Sequence, residues 1–107
     1  MRINTFKSQP VIAWRIFYIT LIARTYPELA CTQLVNDNQW KVLYAKIHRN
    51  KNFPTIIPSV KTFVNWVARL GGFLARKNDG EPGPIVLWRG WRRLDDLCDA
   101  WELAQAA

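Results

Sequence analysis

A chain of 107 residues makes one small domain, long enough to bury roughly two thirds of the surface its unfolded form exposes. Half of the residues are hydrophobic and six are tryptophan, which excludes a disordered chain and predicts more aromatic surface than one core of this size hides. The formal net charge of +7 draws the chain toward nucleic acid or an anionic surface without specifying a fold, and the excess sits in residues 1–53, where eight Lys/Arg face only Glu28 and Asp37.

The first ten residues read as an N-terminal extension, and 11–107 as a single helical domain. Residues 11–23, "VIAWRIFYITLIA", are too short and, with Arg15 in their middle, too charged to span a membrane or to serve as a secretory signal. They predict a helix that starts after Pro10 and runs to about Arg24, with Val11, Trp14, Tyr18, Leu21 and Ile22 at helical spacing. Nearly every face of it is apolar, so it is expected to be buried by the other helices or covered by a further domain. Two cysteines, Cys31 and Cys98, make no disulfide framework and are expected as reduced packing residues of a cytoplasmic chain.

Asn36 or Asp37 caps a second helix over about 37–49, with Trp40, Leu43, Tyr44 and Ile47 inward and a basic outer side. Pro54 and Pro58 keep the following segment out of helix. Ser59 caps a third helix, expected from 60 to about 77, whose apolar stripe of Val60, Phe63, Val64, Val67, Leu70 and Leu74 includes Gly71. Adjacent glycines inside a helix cost about 2 kcal/mol together. Gly71 and Gly72 are therefore expected at a helix-packing point where a neighbour crosses closely. Gly80 and Gly83 turn the chain, and Pro84 opens a fourth helix, 84 to about 105.

The spacing of Leu87, Trp91, Leu94, Cys98 and Trp101 keeps one seam facing a partner helix, and Trp88 widens it. Arg89, Arg92 and Arg93 precede Asp95, Asp96, Asp99 and Glu102, so each sign of charge sits at the wrong end of the helix dipole. An antiparallel second copy would set arginines against acids. The seam is thus expected to be a two-fold dimer interface on the outside of an all-α bundle of about four helices.

No residues converge as an active site or a metal site. The acids are single or stacked behind arginines, His48 has no ligand partner at metal spacing, and the glycines do not form a phosphate loop. What remains is the basic set Lys41, Lys46, Arg49 and Lys51, interleaved with Trp40 and Tyr44, which suits phosphate contact without base reading.

Three stretches carry a resemblance: "VIAWRIFYITLIARTYPELACTQ", "QWKVLYAKIHRNK" and "ARLGGFLARKNDGEPGPIVLWRGWRRLDDL". Over residues 11–104 the chain resembles the C-terminal region of bacterial insertion-sequence transposases of the Tn-five-like, IS-four family. The resemblance implies a helical domain that dimerises and helps pair transposon ends, and hence DNA and a second transposase chain as partners, in the bacterial cytoplasm on the nucleoid. The family's catalytic core holds a divalent metal such as magnesium on three acids. This chain matches neither those acids nor the Tyr-Arg-Glu-Lys signature, so it is expected to have no cofactor and no catalysis of its own. It reads as a truncated product or excised domain; a free product that inhibits transposition by pairing with intact transposase, and a relic reading frame, are the alternatives.

Overall fold

A computed structural model describes residues 9–74, 80 and 82–106 of the chain. Its elements are α1 (Gln9–Thr25), a 3-10 turn (Cys31–Gln33), α2 (Asp37–His48), α3 (Val60–Leu70) and α4 (Pro84–Ala106), with no strand among the described residues. Gln9 and Pro10 already belong to α1, while residues 1–8 of the expected extension lie outside the described residues. The architecture is the all-α bundle of four helices that the periodicity predicted.

α2 and α3 begin where their capping chemistry dictates. Asn36 accepts a hydrogen bond from the Gln39 amide at 2.9 Å, and the Gln39 side chain accepts one from the Asn36 amide at 2.9 Å, a reciprocal capping box. The Ser59 hydroxyl accepts from the Thr62 amide at 3.2 Å. The loop between α1 and the 3-10 turn is pinned to the start of α3, where Val60 donates to Leu29 and Cys31 donates to Pro58.

α3 and α4 form the central pair, and α1 and α2 each pack against both. Leu43 of α2, Val60, Phe63 and Ala68 of α3, and Leu94 of α4 are completely buried, together with Cys31. The Phe63 and Trp91 rings meet edge to face at 5.9 Å where the central pair crosses.

The third helix stops at Leu70, short of the expected residue 77, and its two glycines act separately. Residues 71–74 are already non-helical, and residues 75–77 lie outside the described residues. Gly72 has φ +100°; its amide donates to Arg69, and the Phe73 amide donates to Ala68. These two bonds make a Schellman motif, in which a left-handed residue lets the chain turn back on the last carbonyls. Gly71 has an ordinary φ but is buried at the crossing, where a Cβ would strike the Val86 carbonyl oxygen and lie 2.8 Å from the Gly90 nitrogen. The close-packing role expected of the pair thus falls to Gly71, and its counterpart is Gly90 of α4, whose Cβ would strike the Val67 carbonyl oxygen.

The charge order on α4 also has an internal use. Arg93 Nη1 donates to the Leu70 carbonyl at 2.7 Å and Arg89 Nη1 to the Gly71 carbonyl at 3.2 Å. Both guanidinium groups sit at the negative end of the α3 dipole and complete carbonyls that the helix leaves open. They are not held in reserve for a partner's acids. Arg93→Ala is expected to lower unfolding stability by about 1–2 kcal/mol in urea melts, and Arg93→Lys to lose less.

The structure selects a side of α1 that the sequence left open. Among its described side chains Ile16 and Ile19 are buried, whereas Trp14, Phe17, Tyr18 and Leu21 are exposed. An all-round apolar helix has no polar face to orient it, so periodicity could not select the side that α3 and α4 cover.

Candidate functional site: the α2–α4 end of the bundle

The expected dimer seam is divided by the fold. Leu87, Trp91, Leu94 and Cys98 are buried within the single chain, so these four cannot form an outward-facing interface. Their seam is real, but the helix it faces is α3 of the same molecule. Trp88 and Trp101 are only half-buried, and after Trp101 the α4 residues 102–105 are all exposed, Leu103 at 72%. Length explains this. α4 has 23 residues against 11 in α3, roughly 35 Å against 17 Å, so its C-terminal turns outrun the helix that covers the rest.

The basic set is divided as well. On α2, Lys41 and Lys46 lie about 140° apart around the axis. Lys41 Nζ lies 5.7 Å from the Phe53 ring centre and 5.9 Å from that of Trp40, and Lys51 Nζ lies 5.8 Å from the ring centre of Trp101. These two ammonium groups are drawn onto aromatic faces beside the end of α4. Lys46 and Arg49 are exposed, and Arg49 takes a left-handed conformation, φ 57°, as it terminates α2.

Between the two groups runs an aromatic cluster that sequence reasoning only half anticipated. Tyr44 stacks on His48 at 4.2 Å and meets Phe53 and Trp66 edge on, at 5.9 and 5.7 Å. Trp40 meets Phe53 at 6.2 Å and His48 meets Trp66 at 5.1 Å. Trp40 and Tyr44 were legible from the α2 pattern. Phe53 comes from a proline-bounded loop and Trp66 from the outer edge of α3, so no single periodicity links them.

At this end of the molecule a groove of about 510 Å³ is lined by Asn38, Lys41, Phe53, Trp101, Glu102 and Gln105. It joins α2, the following loop and the projecting turns of α4. Elsewhere, Cys31 is a packing residue whose burial pushes its thiol up to about 11 and keeps it protonated at neutral pH. Among the described residues no three His, Cys, Asp or Glu are grouped to hold a metal ion. Among the same residues no helix is long and apolar enough to cross a membrane.

Residues 11–106 match the family described as the Transposase Tn5 dimerisation domain, and the chain belongs to that family. Comparison with curated proteins and with solved structures gives no match.

Proposed function

We propose that the chain joins two transposase protomers through the C-terminal turns of α4, and that it holds DNA by its phosphate backbone through Lys46 and Arg49. The observation that supports the first half is the overhang: in a family of dimerisation domains, residues 102–105 at the end of α4, with Leu103 72% exposed, are left uncovered by the single chain. The chain then acts on DNA in the bacterial cytoplasm as part of a transposition complex and supplies no catalytic carboxylate. Sedimentation across micromolar concentrations tests the pairing: a concentration-dependent dimer is expected, and a strict monomer defeats it.

The DNA half rests on two exposed cations at the end of α2, which is where the dipole favours positive charge. Binding is expected to be insensitive to sequence and to weaken steeply with salt. Lys46→Ala with Arg49→Ala is expected to make the slope of log K against log salt shallower by about 2. Unchanged binding by the double variant would place DNA on another surface.

The outer face of α1, with Trp14, Phe17, Tyr18 and Leu21 exposed, is the side we assign to the remainder of a transposase. Exposed aromatic surface of this extent is unusual on a lone domain. Arg15, exposed on the same helix, suits this apolar face to a surface flanked by carboxylates.

A further inference from the structure

We infer that the outer face of His48 is a stacking site for one unpaired base of single-stranded DNA, with Arg49 and Arg69 beside it for the adjoining phosphates. The inference rests on the proposed DNA contact and names the form of DNA that the end of α2 takes. It starts from a difference in exposure within the aromatic cluster. Tyr44, Phe53 and Trp66 are half-buried and use their rings on one another, whereas His48, the last residue of α2, is exposed. Its ring lies on Tyr44 at 4.2 Å and 22°, and its Nδ1 is 3.2 Å from the Tyr44 carbonyl oxygen, which holds the imidazole over the phenol ring. Trp66 is nearly equidistant from the two, 5.7 Å from Tyr44 and 5.1 Å from His48, and lies at 80° to the imidazole. It therefore stands beside the stack and does not cap it. The side of the imidazole turned away from Tyr44 is covered by neither ring.

A nucleic-acid base suits that face. A ring already braced by a phenol and an indole loses little freedom when a third ring settles on it, and stacking accepts any base because every base has a π-face. In a duplex the neighbours take both faces of each interior base, so only an unpaired one can lie on His48. The surrounding charge has one sign: residues 38–78, which hold nearly all of α2, the following loop and α3, contain eight Lys/Arg and no Asp/Glu. Arg49 follows His48 directly, and Arg69 lies one turn beyond Trp66 on α3; both are exposed. The stack is thus flanked by guanidinium groups from two elements, and a flexible strand can offer each of them a phosphate. An exposed ring between cations is the pattern that a sugar-phosphate strand with free bases matches. Lys46 is about 160° from His48 around α2 and stays with the phosphate contact that needs no base.

Strands of about fifteen nucleotides separate stacking from charge: oligothymidine, an abasic strand with the same phosphates, and oligouridine, each titrated with the full chain beside a covalently closed circular duplex. Oligothymidine is expected to bind at least about fivefold more tightly than the abasic strand, with the same salt slope, since stacking neutralises no phosphate. His48→Ala is expected to remove that difference and to leave affinity for the abasic strand unchanged. His48→Phe, which returns a flat ring, is expected to restore it. Circular dichroism of both variants first establishes that they fold. A 2-aminopurine in the middle of the strand should be quenched by the parent and His48→Phe chains and not by His48→Ala, a signature that a merely structural role would not give. Equal binding of oligothymidine and the abasic strand, or a preference that survives in folded His48→Ala, overturns the inference; where the circular duplex still binds through Lys46 and Arg49, the proposed DNA contact stands. Failure of the parent chain to bind any strand or the duplex removes both. Tighter binding of oligouridine than of oligothymidine would assign the face to RNA, which also overturns the inference.

Discussion

Gly90→Ala is expected to be the most destabilising single-methyl change in the chain, at about 3 kcal/mol or more, although the position is in the middle of a long helix. Helix propensity predicts the opposite sign, since alanine is favoured over glycine in a helix interior by about 1 kcal/mol. The crossing of α3 and α4 decides otherwise. A Cβ at Gly90 would clash with the Val67 carbonyl oxygen and lie 3.1 Å from the Gly71 nitrogen. These are backbone atoms inside a helix, so no rotamer change can make room. The two axes must separate, and the contacts that depend on their approach loosen together, among them Phe63 against Trp91 and the bonds from Arg89 and Arg93. Against a typical total of about 5–15 kcal/mol for a small domain, this loss is large, and the melting temperature is expected to fall by about 15 °C. Gly71→Ala should behave alike. Gly83→Ala, where an added Cβ meets nothing within 4 Å, should leave the melt almost unchanged. Circular dichroism melts of the three variants check the order, and a harmless Gly90→Ala would mean that the helices do not cross there.

The contrast between the glycines shows where the letters of the sequence suffice. Ser59 and Asn36 announce helix starts because their side chains satisfy amides two or three residues on, which is local chemistry. The stripe from Val60 to Leu70 identifies the α3 core face because the opposite side of that helix is polar enough to orient it. The end of α3 is not legible in this way, since Gly71 continues the apolar spacing and only the bonds at Gly72 and Phe73 turn the chain. Gly90 carries a sequence signal of the same kind: a glycine amid "LWRGWRR" costs about 1 kcal/mol and asks for the same explanation as Gly71.

Other features depend on which partner a side chain finds at long range. Arg93 bonds a carbonyl 23 residues earlier, and the Phe53 ring meets Trp40 and Tyr44 across a loop. Periodicity gives a face and not its occupant. It found the α4 seam correctly and could not tell an internal helix from a second molecule, which is why the buried residues Leu87, Trp91, Leu94 and Cys98 were expected outside. The dimerisation-domain family, by contrast, is legible in the sequence, because the resemblance rests on motifs in fixed order and not on which helix covers which.

That division of α4 gives the second large effect. Trp91→Ala is expected to reduce unfolding stability by about 3–5 kcal/mol, because the ring is 4% exposed and packed on Phe63 at the central crossing, and its removal leaves a cavity that backbone helices close poorly. Trp101→Ala should behave differently. Its ring is half-buried beside Lys51 on the overhang, so its loss should lower monomer stability by about 1 kcal/mol or less and act chiefly on association. Urea melts at low protein concentration report the first quantity, and sedimentation of the folded variants reports the second. If α4 is divided between an inward seam and a free end, the two tryptophans separate the two properties: the Trp91 variant unfolds early, and whatever remains folded still pairs, whereas the Trp101 variant stays folded and dimerises at least tenfold more weakly, about 1.4 kcal/mol of association energy. Equal effects of both substitutions on association, with no difference in stability, would return the whole seam to the outside of the molecule.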